Sequence, residues 1–102
     1  MMNWEILAQT MPKEINGVSI DAAIITSEEN CRYISGFHAS ARVVVVTREI
    51  AYLLTDFRYG EAARMQVKDC KVVVYQRLAK SIEEILRRHD IRGVLLEHEH
   101  LT

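Results

Sequence analysis

Two apolar segments separated by a short polar break constrain the fold more than any other feature of this sequence. The first, residues 41–47, is rich in valine, and the second, residues 51–55, follows after Arg48 and Glu49. Runs of β-branched and aromatic residues of this length favour strands, and a brief polar break between two of them favours a tight antiparallel turn. We therefore predict a β-hairpin in the middle of the chain.

The amino-terminal region has apolar residues at helical spacing: Trp4, Leu7, Met11 and Ile15. Pro12 interrupts this pattern, because proline lacks an amide donor and clashes with the preceding turn. We therefore expect a helix that is kinked or restarts near Pro12. Asn16 and Gly17, which accept left-handed backbone angles, are expected to end it.

A second helix is predicted over residues 27–35, directly after a short apolar strand at residues 22–25. Thr26 and Glu29 have the spacing of a capping box, in which the hydroxyl and the carboxylate each accept a free amide of the first turn. Gly36 is a typical residue for the end of a helix.

Two more helices are predicted after the hairpin. Asp56 is expected to cap the third helix, with an apolar face formed by Phe57, Ala62 and Met65, to which Ala63 can be added. The fourth has one apolar stripe, formed by Leu78, Ile82, Ile85 and Leu86. Strands are predicted at residues 71–76 and 93–97, on either side of the fourth helix.

This order of elements predicts an α/β fold. Two parallel strands joined by a helix need a right-handed crossover, so a hairpin combined with two crossovers forms a mixed sheet flanked by helices. We expect five to six strands and a ribonuclease-H-like motif in a single domain spanning residues 1–102. The chain stops at Leu101 and Thr102 without a terminating element, so we expect a domain truncated at its carboxyl end.

Composition excludes several classes of function. The chain has 102 residues with 13 basic and 14 acidic side chains, so it lacks the positive charge that non-specific nucleic-acid binding needs. Its apolar runs are far shorter than the ~20 residues that cross a bilayer. The amino terminus does not resemble a secretory signal, which favours the cytoplasm. Cys31 and Cys70 are expected to be buried thiols in a reducing compartment.

A metal site is the first catalytic hypothesis, since residues 97–100 read Glu-His-Glu-His. Alternation along a strand would place only two ligands on each face, whereas zinc sites need three or four protein ligands. The only other histidines are His38 and His89. We therefore favour polar residues at the solvated end of a strand and expect no metal bound by this chain.

Two further kinds of active site find little support. Cys31 or Ser40 could act as a nucleophile with His38, but no glycine-flanked nucleophile elbow surrounds Ser40. A nuclease with the ribonuclease-H-like plan would need converging carboxylates. The aspartates occur instead at a strand start, at a strand end and in loops: Asp21, Asp56, Asp69 and Asp90.

Two longer motifs carry a resemblance to a known family. Residues 21–37 read DAAIITSEENCRYISGF and residues 51–59 read AYLLTDFRY. In this order they resemble the amino-terminal domain of the creatinase/prolidase family, specifically bacterial Xaa-Pro aminopeptidases and dipeptidases. The similarity runs from about residue 3 to the end of the chain.

The resemblance implies a parent enzyme with a second, catalytic domain of the pita-bread type that is absent here. That domain would hold two divalent metals, commonly manganese, and hydrolyse the peptide bond before proline. The implied role of the amino-terminal domain is to form a dimer or higher oligomer with other copies. The 102 residues alone are then expected to have no catalytic residue and no cofactor.

The resemblance also implies a site in trans, in which the turns after the second helix and after the hairpin face the mouth of a neighbouring subunit's active site. The residues expected there are Phe37, His38, Arg58 and Tyr59. Residues 38–42 read HASAR where the family pattern resembles a glycine-containing loop, which puts the path of this loop in question. The alternative is a free-standing peptide-binding module of the same fold without catalysis.

Overall fold

A computed structural model describes residues 4–97 and shows an α/β domain. Its helices are α1 (Trp4–Thr10), α2 (Glu28–Ser35), α3 (Gly60–Gln66) and α4 (Leu78–Arg88). Its strands are β1 (Glu14–Ile15), β2 (Val18–Ser19), β3 (Ala22–Ile25), β4 (Val43–Thr47), β5 (Ala51–Thr55), β6 (Lys71–Val74) and β7 (Val94–Leu96).

The main sheet has five strands in the order β6-β5-β4-β3-β7. Strand β4 runs antiparallel to both of its neighbours, β3 and β5. In the central hairpin of β4 and β5, Val45 lies opposite Tyr52. The two outer pairs, β5 with β6 and β3 with β7, are parallel. The predicted mixed sheet, the hairpin and the fold class are therefore confirmed.

Strand alternation divides the core into two layers. Helices α1, α2 and α3 cover one face, where they pack on Ala23, Val44, Val46 and Leu53. Helix α4 covers the other face through Leu78, Ile82 and Ile85, which pack on Val43, Val45, Tyr52 and Leu54. All ten residues of β4 and β5 are buried, because these strands have a neighbour on each side and a layer on each face.

The amino-terminal helix is shorter than predicted. It ends at Thr10, and Ile15 lies in a two-stranded hairpin of β1 and β2 rather than on a helix. Asn16 and Gly17 do have the left-handed angles expected of them, with φ values of 51° and 81°, but they form the turn of this hairpin. Asn-Gly is a favoured pair for such a turn, and Pro12 had already prevented the helix from continuing.

The predicted capping box of α2 is wrong in its residues, although the helix is in the predicted place. The cap is Ser27, whose hydroxyl accepts the Asn30 amide at 3.2 Å. Glu97, at the end of β7, does what was expected of Glu29: its Oε1 accepts the amides of Thr26 and Ser27 at 2.9 and 2.8 Å. Gly36 ends the helix with φ of 75°, as predicted.

The third helix also begins differently. Its cap position is Tyr59, which makes no side-chain capping bond, so Asp56 is not a helix cap. Phe57 is 84% exposed and Met65 is 72% exposed, which contradicts the predicted buried face. Ala63 is buried and Ala62 packs against the core, so the buried side of α3 is lined by small residues.

Both cysteines are buried thiols outside any disulfide, as expected. Burial raises the pKa of Cys70 to about 11, with the charge of Asp69 adding to the effect, so this thiol stays protonated at neutral pH. Within residues 4–97, no helix is long and apolar enough to cross a membrane, since the longest has 11 residues.

Candidate functional site

The two turns singled out in the sequence lie side by side at one end of the central hairpin. Phe37, directly after α2, packs edge to face against Tyr59, with ring centroids 6.5 Å apart and planes at 79°. The Ser40 hydroxyl lies 2.8 Å from the Tyr59 hydroxyl, and either group can donate. The Thr55 hydroxyl donates to the Ala41 carbonyl at 2.6 Å. The loop after α2 is therefore joined to the turn after β5 at three points.

Arg58 completes this cluster with a charge. Its guanidinium donates to Asp56 from Nε at 3.2 and 3.0 Å and from Nη2 at 2.7 Å, and its carbon Cζ lies 5.1 Å from the centre of the Tyr59 ring. Hydrogen bonding from Arg58 lowers the pKa of Asp56, and Asp56 raises the pKa of Arg58. Asp56 therefore stays ionised and Arg58 stays charged.

Tyr59 is affected by both of its polar neighbours. The Ser40 hydrogen bond is the main cause that lowers the pKa of Tyr59, and the positive charge of Arg58 acts in the same direction, while burial opposes them. A hydroxyl that Ser40 donates to can still donate its own proton to an acceptor in solvent. The turn thus presents a hydrogen-bond donor beside a cation.

The four predicted site residues differ in their exposure. Phe37 is only 4% exposed, so the Tyr59 ring packs against a buried side chain. His38 is exposed and its Nδ1 lies 3.3 Å from a carboxylate oxygen of Glu28. The structure thus brings Phe37, Arg58 and Tyr59 together, and places His38 beside the first turn of α2.

The loop at residues 38–42 follows its path without left-handed angles. Among residues 4–97 the non-glycine residues with positive φ are Asn16 and Asp90, so Ala39 and Arg42 are not forced into a strained conformation. Ala39 is buried in the core, and Arg42 donates to the Ser40 carbonyl at 2.9 Å. Core packing and this hydrogen bond define the path of the loop.

The alternative catalytic clusters do not form in the part of the chain that the structure describes. Ser40 is bonded to Tyr59 and not to His38, so the serine–histidine hypothesis has no geometric support. In residues 4–97, no three His, Cys, Asp or Glu side chains come close enough to hold a metal ion. His98 and His100, which belong to the Glu-His-Glu-His segment of the metal hypothesis, lie outside the described residues.

Two contacts of this cluster were missed by sequence reasoning: Ser40 with Tyr59, and Asp56 with Arg58. The second had a local signal, since an aspartate two residues before an arginine can accept both its amide and its guanidinium; Asp56 Oδ1 accepts the Arg58 amide at 3.0 Å. The first had none, because Ser40 and Tyr59 are separated by 19 residues.

Comparison with known proteins identifies the class of domain. The family model of the creatinase/prolidase N-terminal domain matches residues 9–102, and the chain therefore belongs to this family. Over 56 residues, 55% of this chain, it is 43% identical to the uncharacterized peptidase YqhT of Bacillus subtilis, of which it covers 16%.

Solved structures agree with the family assignment. The fold superposes on a Xaa-Pro dipeptidase from Bacillus anthracis with a TM-score of 0.74 and 28% identity, covering 84% of this chain and 24% of that one. A Xaa-Pro aminopeptidase from Streptococcus pyogenes gives 0.74 and 26%, covering 80% of this chain and 63% of that one. The chain thus spans about a quarter or less of the Bacillus relatives and corresponds to their amino-terminal domain.

Proposed function

We propose that this chain is the non-catalytic amino-terminal domain of a Xaa-Pro aminopeptidase or dipeptidase. The proposal is supported by the family match over residues 9–102 and by the Xaa-Pro peptidases among the similar structures. The catalytic domain, with two divalent metals, manganese by expectation, then lies outside residues 1–102. When bound there, those metals supply the activation of water that hydrolysis of the bond before proline requires.

We propose further that the domain supports oligomer formation and lends side chains to the mouth of a neighbouring active site. The observation that carries this role is the cluster of Phe37, Ser40, Arg58 and Tyr59 at the end of the hairpin. A cation and a phenol are fixed there by hydrogen bonds, while more than half of the Arg58 side chain stays in solvent. His38, beside the first turn of α2, is similarly exposed, at 62%.

The chemistry of these groups is suited to binding rather than to bond cleavage. Arg58 stays charged and donates hydrogen bonds, and it has no accessible proton-transfer step near neutral pH. Tyr59 can donate to a carbonyl or carboxylate oxygen of a peptide. These side chains would therefore orient a peptide at the entrance to the site, an effect that appears in binding and positioning.

A subunit-mixing experiment tests the role in trans. In the full-length peptidase, His38→Ala or Arg58→Ala should leave the metal content unchanged and alter KM or the preferred peptide length. Metal-competent subunits are then mixed with subunits that lack a metal ligand, in two arrangements. The Arg58 change is carried by the metal-competent subunit in one arrangement and by the metal-free subunit in the other. The two mixtures should differ in activity. The matched control is Arg64→Ala, which removes an exposed arginine from α3 of the same domain.

The activity of the mixture could instead depend only on the fraction of metal-competent subunits, whichever subunit carries the Arg58 change. That result would contradict the role in trans and leave the domain a structural role only. The oligomeric state is measured directly by light scattering of the same preparations. Cytoplasmic location stays a prediction from the sequence, which cell fractionation can check.

Assays of the isolated 102-residue chain distinguish this proposal from the alternative, a free-standing peptide-binding module. We expect no hydrolysis of Xaa-Pro peptides with or without manganese, and no measurable binding of a proline-containing peptide. Manganese-dependent turnover that disappears when His98 and His100 are changed to Ala would overturn the non-catalytic assignment. Tight peptide binding by the isolated chain would favour the module instead.

A further inference from the structure

The Asp56–Arg58 pair has a geometry that bears on what Arg58 can bind. One carboxylate accepts the backbone amide of Arg58 at 3.0 Å and also holds its side chain through Nε and Nη2. A hydrogen bond to the amide and a bidentate ion pair to the side chain of one residue form a closed ring. The Arg58 side chain is thereby confined to one orientation, although it is largely exposed.

This arrangement uses one of the two edges through which the Arg58 guanidinium can bind a carboxylate. A guanidinium binds a carboxylate with two parallel N–H donors, and Asp56 already occupies the Nε and Nη2 edge. Nη1 takes no part in this ion pair. The guanidinium carbon Cζ lies 5.1 Å from the centre of the Tyr59 ring. Arg58 is therefore held beside Tyr59 with its Nη1 donors outside the ion pair.

We propose that Asp56 is a positioning residue for Arg58, and that it holds the guanidinium so that the donors left outside the ion pair can bind an oxygen acceptor of a peptide. The inference rests on the proposed function for its effect on a peptide substrate. The ion pair itself can be tested without it. Asp56 is suited to the role because its carboxylate holds both the backbone amide and the side chain of Arg58, with 20% of its own side chain exposed.

The first experiment reads the ion pair in the 102-residue chain by ¹⁵N NMR of the arginine Nε–H groups. We expect a Nε–H signal that is slow to exchange, is assigned to Arg58 by its loss in Arg58→Lys, and disappears in Asp56→Asn. The control is Asp69→Asn, which removes a loop aspartate elsewhere on the surface. A protected Arg58 signal that persists in Asp56→Asn would overturn the positioning role. If Asp56→Asn does not fold, Asp56→Glu, which keeps the charge but lengthens the arm, should shift the signal instead.

The second experiment is a double-mutant cycle in the full-length peptidase. Asp56→Asn should raise KM about 2- to 10-fold, with kcat little changed, because one long side chain loses its fixed orientation. In the Arg58→Ala background the same substitution should have no further effect on KM. Additive effects would overturn the inference, since Asp56 would then act independently of Arg58.

The outcomes of the two experiments separate the inference from the proposed function. If Arg58→Ala leaves KM unchanged while the NMR signal behaves as expected, the role at the substrate mouth fails and the ion pair stands.

Discussion

The central hairpin and the β7 edge of the same sheet are stabilised in different ways. Strands β4 and β5 are buried along their whole length, between two strands and two helical layers. Strand β7 has one neighbouring strand, and Leu96 at its end is 68% exposed. Apolar burial dominates in the hairpin, while at the edge a few specific polar and close contacts hold the strand in place.

Two such contacts fix the β7 edge. Gly93 lies so close to Ser19 that a Cβ atom at this position would come within 2.0 Å of the Ser19 carbonyl oxygen. At the other end, Glu97 connects the strand to the start of α2. The comparison shows that burial alone does not indicate which residues at the β7 edge contribute to stability.

The largest expected effect is in the hairpin. Leu53→Ala should lower the free energy of unfolding by about 2 to 4 kcal/mol, because it removes buried methyl groups and leaves a cavity between fixed elements. Val45→Ala, on the opposite face, should be destabilising for the same reason. Both are measured by urea denaturation. The matched control is Leu96→Ala at the edge, for which we expect less than about 0.5 kcal/mol.

Losses below half a kcal/mol at both Leu53 and Val45 would contradict the buried hairpin. A Leu96→Ala cost equal to that of Leu53→Ala would remove the distinction between the two regions.

The second effect tests the close contact at the edge. Gly93→Ala should lower the free energy of unfolding by about 1 to 3 kcal/mol. The backbone of the Ser19 segment cannot move without losing the hydrogen bond from the Asp21 amide to the Gly93 carbonyl, at 2.9 Å. The control is Gly60→Ala, where the added Cβ meets a Val74 methyl group at 2.7 Å. That side chain can shift, and alanine favours the helix, so we expect a smaller cost. Equal costs in thermal melts would contradict this account.

The third effect tests the Glu97 clamp. Its carboxylate also accepts the Ser27 hydroxyl at 2.8 Å and the side-chain amide of Asn30. Burial opposes ionisation of Glu97, but the hydrogen bonds from Ser27, Asn30 and Thr26 outweigh it and lower the pKa of Glu97 below its ordinary value of 4.5. Glu97→Gln should therefore cost about 1 kcal/mol at neutral pH.

The sign of the pH dependence follows from that lowered pKa. Because the folded-state pKa of Glu97 lies below the unfolded one, its contribution is complete above about pH 4.5 and is lost as the pH falls through the folded value. The stability difference between wild type and Glu97→Gln should accordingly shrink as the pH is lowered below about 4.5. A difference that grows on acidification would mean that Glu97 is not held as the carboxylate.

The same comparison explains how far the sequence could predict the structure. The hairpin was predictable because strands buried on both faces read as continuous apolar runs. Helix α2 was predictable from Gly36 and its neighbours. The carboxylate that accepts the amides of Thr26 and Ser27 before α2 was not, since Glu97 is about 70 residues away and Glu29 offered an equally good local partner.

The candidate site shows the same division. Its two turns were recognisable as motifs, but their contact depends on Ser40 and Tyr59 meeting across the end of the sheet. Phe57 was expected to be buried because its spacing from Ala62 and Met65 placed it on the apolar face of the predicted helix. In the structure the turn that begins α3 directs it into solvent, where it is 84% exposed. Local apolar spacing could not reveal this, because the helix begins only at Gly60.

The smallest expected effect is on α4, where Glu83 and Arg87 form an ion pair at 3.4 Å with side chains 66% and 73% exposed. Glu83→Gln makes the same chemical change as Glu97→Gln, but in solvent rather than at a helix start. We expect a cost of about 0.3 to 0.5 kcal/mol that largely disappears near 1 M salt, since exposed helical pairs contribute little and are screened. Urea denaturation at low and high salt measures it. A cost equal to that of Glu97→Gln would show that the partly buried hydrogen bonds of Glu97 add nothing beyond a surface charge.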